Sequence, residues 1–407
     1  MRTVSNEAVS VDESMLATQI SWRPTALQRY LILAGTESDP ELAAQFWQWA
    51  LQQADILDLE VGEQRLLPLI HHNLNSAGRD GAIPHWSRLA AIHRREWIRN
   101  QQVLLSASPL LVALAKRHVR FIVLKGAALG QTVYPDIGTR PMSDLDLLVS
   151  RSQAEEIITL LHSLGFSTAA KLSFGPSSVA AYSAMNFDAP KPSSFSVDLH
   201  WKVNYCELGD HTESAFDRAR PLRSHTWGGI DVLQLHPEDN LLNAIAHGMR
   251  WNVVSPCRWI VDSLLILRSA RGDIQSERLV ATAYQRGILS AVIEAAGILE
   301  DFGIDRTRLL GSKPPQPKMR DRFARVVWSA RPSRLQSGAR LLAVDYVTRT
   351  HGESFQTRFR SYPQYLRMTC DARTWPQFAR NLGLLARHGP SVKATLAKSA
   401  RSESSKS

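Results

Sequence analysis

The sequence predicts an α+β fold, a small mixed β-sheet core flanked by N-terminal and C-terminal mainly helical lobes. Three observations carry this. Helical periodicity alone runs from Ala26 to about residue 118. Short β-branched and aromatic runs begin at Val119 and recur to about Val203. Helical periodicity then returns beyond His236. The implied organisation is a disordered N-terminus over 1–24, a helical lobe over 25–118, a core over 119–235, a helical and C-terminally basic lobe over 236–390, and a disordered tail over 391–407.

The elements follow in order. Leu27, Leu31 and Ile32 share one helical face. Pro40 opens ELAAQFWQWALQQADIL with Ser38 and Asp39 before it as cap candidates. EQRLLPLIHHNLN and HWSRLAAIHRREWIRNQQVLL read as two more helices, and Pro109 as the start of another that ends near His118. VRFIVLK reads as a buried strand that runs directly into Gly126 and a short helix through Val133. DLDLLV, Asp144 to Val149, is a second strand after the turn-rich loop YPDIGTRPMS. Ser152 with Glu155 three residues on reads as a capping box for a helix that Gly165 closes. A polar Ser- and Pro-rich stretch with room for a hairpin leads to the strand SFSVDLHWKV. Pro237 starts the first of several later helices, with acids in its first turn. Residues 313–318 form a Pro-rich linker.

Composition excludes several classes. Hydrophobic residues make up 44% and charged residues 21% of 407, as in ordinary globular chains. The N-terminal stretch lacks the basic and apolar regions of a signal peptide, and no apolar run reaches the ~18 residues of a membrane span. Cys206, Cys257 and Cys370 are sparse, odd in number and far apart, which argues against a disulfide framework and for a reducing, cytoplasmic setting. The net charge of +10 is uneven. From Pro317 onward there are 18 Lys and Arg against 5 Asp and Glu, so the remainder of the chain is slightly acidic. That basic segment fits a solvated helical surface, and equally a patch for a phosphate-rich partner or an anionic membrane surface.

The chemistry concentrates in three carboxylates. Asp144 and Asp146 flank Leu145 on one predicted strand, so their side chains face the same way about 6.6 Å apart. Asp198 alternates in the same sense on another strand. If those strands are neighbours, three acids converge, and their mutual repulsion is relieved by a divalent cation such as Mg²⁺, which takes oxygen ligands and bridges to phosphates. Lys125 and Gly126 stand where a strand turns into a helix N-terminus, a place that favours phosphate. Arg140, four residues before Asp144, is either a second phosphate contact or a salt bridge that shapes the loop. His200, facing the same way as Asp198, reads either as a group that contacts substrate or orients Asp198 or as a satisfied structural histidine. His247 and Asp262 read as helix-to-helix hydrogen-bonding groups or as groups that approach the site, and His71 and His72 as positions without an assigned partner. Trp47, Trp49, Trp86, Trp97, Trp251 and Trp259 read as packing residues. Nothing resembles a nucleophilic triad, a Rossmann glycine fingerprint or a P-loop.

The stretch FIVLKGAALGQTVYPDIGTRPMSDLDLLV, then a helix ending in Gly165, then VDLHWKV, resembles the family of uncharacterised nucleotidyltransferases within the polymerase-beta-like superfamily. HPEDNLLNAIAHGMRW and RWIVDSLLIL resemble the helices that follow the site in that family, and the resemblance spans roughly residues 25–300. It implies transfer of an NMP group from a nucleoside triphosphate, with Mg²⁺ or Mn²⁺, to a hydroxyl or phosphate. It implies paired metal ligands at Asp144 and Asp146, a third carboxylate and candidate general base at Asp198, and a phosphate-cradling glycine at Gly126. One departure stands out. Most of the superfamily has Gly-Ser in that turn, and this chain has Lys125-Gly126-Ala127, so Lys125 is the candidate replacement for the missing hydroxyl. The alternatives are a catalytically silent member that binds a nucleotide or a partner, and a nucleic-acid-binding protein acting through the basic C-terminal lobe. The acceptor, whether protein, RNA, sugar or small molecule, is not legible.

Overall fold

The computed structural model describes residues 23–75, 83–168, 182–193, 195–204, 206–222, 230–250, 257–270, 272–329 and 354–369, with 179, 227, 254, 346, 374 and 376. The expected disordered termini, Cys370, Trp251 and most of the basic C-terminal segment lie outside the described residues.

Helices dominate the first part: α1 (Ala26–Thr36), α2 (Pro40–Gln53), α3 (Val61–Gln64), α4 (Leu67–Asn75) and α5 (Trp86–Lys116). Asp39 caps α2 by accepting from the Glu41 and Leu42 amides, with Pro40 as first helical residue, as expected. The predicted break at Pro109 is absent, because Pro109 sits inside the 31-residue α5. The carbonyl it deprives of a partner belongs to Leu105, whose side chain is exposed, so water can take the place of the lost amide.

One six-stranded mixed sheet follows. Its strands are β1 (Phe121–Val123), β2 (Asp144–Val149), β3 (Ala184–Asp188), β4 (Ser196–His200), β5 (Arg220–Pro221) and β6 (Leu233–Gln234), in the order β3-β4-β2-β1-β6-β5. β3 and β4 form an antiparallel pair in the polar stretch, and β2 pairs β4 in parallel. Helix α6 (Lys125–Thr132) links β1 to the loop before β2, and α7 (Ala154–Ser163) follows β2. The capping box expected at Ser152 is not there. Residues Arg151–Gln153 form a 3₁₀ turn, Gln153 stands at the N-cap without a side-chain bond, and the Ser152 hydroxyl pairs with that of Ser150 at 3.0 Å.

The later helices are α8 (Thr212–Arg218), α9 (Pro237–Gly248), α10 (Arg258–Ser269), α11 (Ser276–Arg286), α12 (Leu289–Glu300), α13 (Arg306–Leu310), α14 (Met319–Ser329) and α15 (Phe355–Thr369). Pro237 opens α9, and the acids of its first turn are fully buried. Arginines of α11 neutralise them: Arg286 Nη2 lies 2.6 Å from Asp239 Oδ1, and Arg278 Nε 2.7 Å from Glu238 Oε2. No helix among the described residues is long and apolar enough to cross a membrane. Cys206 and Cys257 are buried thiols.

The cores explain where the acids end up. One apolar cluster joins helices from before the sheet (Leu31, Trp47, Ile70) to helices after it (Leu241, Ile260, Leu264, Leu299). A second packs Leu104 and Leu111 of α5 and Ile157 and Leu161 of α7 against one face of the sheet, taking Phe121 and Val123, Leu145, Leu147 and Val149, Val197 and Leu199. Strand alternation sends the intervening residues to the opposite face. There Ile122 and Leu148 join Phe216 and Leu235 in a small third cluster, and Asp144, Asp146, Asp198 and His200 occupy the rest. Burying the odd-numbered residues of β2 and β4 against α5 and α7 therefore forces four polar side chains together on the other side.

Candidate active site

β2 and β4 run in parallel with Asp146 opposite Asp198 and Leu148 opposite His200. Asp146, Asp198 and His200 bring one ligand atom each to within 4.8 Å of one another. His200 Nε2 stands between the acids, 3.1 Å from Asp146 Oδ1 and 3.0 Å from Asp198 Oδ2. Of the readings open to it from the sequence, His200 takes the one that orients Asp198, and it ties two of the three carboxylates together. Asp144 stands two residues before Asp146 on the same face and lines the same cleft.

Lys125 completes the group from the start of α6. Its φ of 44° is left-handed, which favours glycine over a residue with a Cβ. In that conformation its Nζ lies 2.6 Å from Asp146 Oδ1. Gly126 follows within the helix. A Cβ there would stand 3.0 Å from both Arg140 Nη1 and Met142 Cβ, so the glycine lets the loop before β2 close onto the helix.

The electrostatics are split across the site. Burial pushes Asp146 toward protonation, but Lys125 and the hydrogen bond from His200 outweigh it and hold the carboxyl well below the usual range. Asp198 is likewise held down, with His200 the main opponent of burial. Asp144 is raised by burial and then by the charge of Asp146. His200 is raised, since the two carboxylates outweigh burial and the Lys125 charge. The site therefore holds two firmly ionised acids and a third whose burial and repulsion from Asp146 outweigh the charges of Lys125 and Arg258, as expected of acids forced to converge.

Lys125, Gly126, Asp144, Asp146 and Asp198 line one wall of a cleft of about 500 Å³. Helices from before and after the sheet supply the opposite wall, including Arg65, Arg99, His247 and Arg258. Arg258 donates to the Pro141 carbonyl at 2.8 Å, and burial beside Arg140 lowers its guanidinium to about 10. Burial, then the charge of Lys125, lowers His247 to about 3. Glu96 is buried on this wall, with its Oε2 lacking a hydrogen-bond partner among the described residues.

Arg140 is held in a buried fork. Its Nε and Nη2 reach Asp262 Oδ1 and Oδ2 at 2.9 and 2.8 Å, and Tyr134 Oη donates to Asp262 Oδ1 at 2.6 Å. This is the loop-shaping ion pair that was one of its two expected roles. Asp262 thereby joins α10 to the loop of the core, and not to a neighbouring helix. Of the expected packing tryptophans, Trp47 and Trp259 are buried, while Trp97 is largely exposed. Sequence reasoning passed over Arg258, although its place four residues before Asp262 puts both on one face of α10.

The fold and the carboxylate arrangement define a nucleotidyltransferase-type architecture, a mixed sheet that sets acids of two adjacent strands beside a strand-to-helix turn. A family model described as uncharacterised nucleotidyltransferase matches residues 52–302, and the chain belongs to that family. No curated protein matches it. Among solved structures, it is similar to the solution structure of the antibiotic-resistance factor ANT(2'')-Ia, with 14% identity, 50% of this chain and 96% of that chain covered, and a TM-score of 0.29.

Proposed function

We propose that the protein is a Mg²⁺-dependent nucleotidyltransferase, with Mn²⁺ as an alternative metal, that moves an NMP group from a nucleoside triphosphate to an acceptor oxygen. The observation that carries this is the register of Asp146 against Asp198 on parallel strands, with Asp144 on the same face at the mouth of a cationic cleft. The donor set fits the metal, since carboxylate oxygens are what a hard divalent cation takes. Asp144, Asp146 and Asp198 would hold it. When bound, it supplies positive charge that neutralises the triphosphate and lowers the pKa of the attacking oxygen.

The protein's own groups do the rest. The acceptor oxygen attacks the α-phosphorus, the bond from that phosphorus to the bridging oxygen breaks, and pyrophosphate leaves. Asp198, ionised and partly exposed, is the candidate to take the acceptor's proton. His200 orients Asp198 and Asp146 through one nitrogen. Lys125, Gly126 and Arg258 are the candidates for the triphosphate, the first two at a helix N-terminus and the third as a buried cation. Arg140 has Nη1 left for a phosphate, the other two nitrogens being held by Asp262. The Lys125-Asp146 pair and the missing hydroxyl at Ala127 favour a second reading, a silent member in which Lys125 replaces the metal charge.

Calorimetric titration of ATP, GTP, CTP and UTP with and without Mg²⁺, beside Asp144→Asn/Asp146→Asn, separates the readings. The expected result is metal-dependent binding of at least one triphosphate that the variant loses, together with pyrophosphate release that falls by several orders of magnitude. Binding that ignores both metal and variant supports the silent member and removes the transferase.

A further inference from the structure

A second cluster of ligand-type side chains lies outside the cleft. His72 of α4, His93 of α5 and Asp136 of the loop between α6 and β2 bring one ligand atom each to within 4.8 Å of one another. His72 Nδ1 is 3.0 Å and His93 Nε2 3.1 Å from Asp136 Oδ2. None of the three lines the cleft that holds Asp146. All three are partly exposed, with side chains 35%, 20% and 29% accessible, so an ion and a completing water can reach them.

We propose that His72, His93 and Asp136 form a zinc-class metal site that clamps the loop before β2 onto the N-terminal helices. The donor set argues for the ion: two imidazoles and one carboxylate suit Zn²⁺, whereas Mg²⁺ takes oxygen. Spacing argues the same way. Bonds of about 2.0–2.1 Å in a tetrahedral site leave ligand atoms roughly 3.3 Å apart, and the two imidazole-to-carboxylate distances lie within a few tenths of an ångström of that, with the two imidazoles within 4.8 Å of each other. The ligands are also held before any ion arrives. Asp136 Oδ1 accepts from the Gly138 amide at 2.6 Å and its carbonyl from Thr139 Oγ1 at 2.6 Å. The His71 ring stacks on that of His93, centroids 5.0 Å apart.

The consequence is mechanical. Asn100, two helical turns after His93 on the same face of α5, bonds the Ile137 and Arg140 carbonyls and the Met142 amide. That loop carries Arg140 and ends at Asp144. An ion at Asp136 would anchor by its side chain the start of the same segment that Asn100 holds by its backbone from Ile137 to Met142. Gly138 shows how closely the two surfaces meet, for a Cβ there would stand 2.8 Å from Trp97 Cβ and 3.0 Å from His93 Nε2.

The test uses the full chain with Asp146→Asn/Asp198→Asn, which removes the two cleft carboxylates that converge with His200. After chelation, Zn²⁺ is titrated in equilibrium dialysis with elemental analysis, and Co²⁺ serves as a spectroscopic probe. One Zn²⁺ per chain, Co²⁺ absorption typical of low-coordinate nitrogen and oxygen ligation, and a metal-dependent rise in Tm are expected. Adding His93→Gln, which can still hydrogen-bond Asp136, should weaken Zn²⁺ by more than the roughly 10–100-fold that outer-shell changes cost, with an unchanged circular dichroism spectrum. No stoichiometric Zn²⁺ binding in the Asp146→Asn/Asp198→Asn protein overturns the proposal, as does equal affinity after His93→Gln or His72→Ala. Because the cleft is silenced throughout, neither result depends on whether the chain transfers nucleotides.

Discussion

Lys125 Nζ lies 2.6 Å from Asp146 Oδ1, so the positive charge that keeps the buried acid ionised comes from the helix turn that phosphates would approach. The ammonium neutralises the acid, and in the proposed reading it would serve a triphosphate once a divalent cation compensates that acid. In that proposed reading it takes the place of the hydroxyl that most of the superfamily carries in this turn.

Lys125→Ala therefore should weaken Mg²⁺-triphosphate binding. A charged hydrogen bond contributes about 1.5–3 kcal/mol, which corresponds to roughly 10–100-fold in Kd. Calorimetric titration of the wild type and the variant reads this directly. Unchanged affinity would reduce Lys125 to a counter-ion of Asp146.

Arg140 and Asp262 form a buried pair with two parallel hydrogen bonds, and removing one partner leaves an uncompensated charge. Arg140→Ala or Asp262→Ala should cost about 3–5 kcal/mol in urea unfolding. Arg140→Lys should recover little of this, because a point charge cannot make the fork. A variant as stable as the wild type, with only triphosphate affinity reduced, would reassign Arg140 to the substrate.

Gly126→Ala carries a smaller load. Alanine suits a helix better by up to about 1 kcal/mol, but its Cβ would press on Met142 and on a guanidinium pinned by Asp262. Neither neighbour yields easily, so crowding of about 1–3 kcal/mol should win and shift the loop that leads to Asp144. Lower stability together with lower turnover is expected. A stabilised variant with full triphosphate binding would mean that the loop tolerates the methyl.

The parts of this site that were readable share one property, local alternation. Asp144, Asp146 and Asp198 declare their face through Leu145, Leu147, Val197 and Leu199, and the parallel pairing of their strands turned three separated acids into one group. Contacts across the chain were not readable. Arg140 offered two roles until Asp262, more than a hundred residues on, was seen to hold it. His72 had no named partner, and His93 was not singled out, because Asp136 arrives from a loop whose path depends on α6 and Asn100. The Pro109 break failed for a related reason, since what decides whether a proline ends a helix is the environment of the carbonyl it orphans. The Ser152 cap failed because a 3₁₀ turn takes the chain into α7.

His247 supplies a pH signature. Burial, then the charge of Lys125, lowers its folded pKa to about 3 against an unfolded value near 6.5. Between those values the unfolded chain binds a proton that the folded chain refuses, so the unfolded state carries the more protons and stability rises with pH across that window. Acidification from about 6.5 toward 3 should therefore remove stability, by at most about 1.4 kcal/mol per pH unit for this one group. His247→Gln cannot take up that proton. Urea unfolding of both proteins at several pH values should show a flatter acid limb in the variant, with the curves diverging below about pH 6.5. Parallel curves would mean that the imidazole charges in the folded cleft as readily as in the open chain, and that the repulsion from Lys125 is screened by solvent entering between α9 and β2.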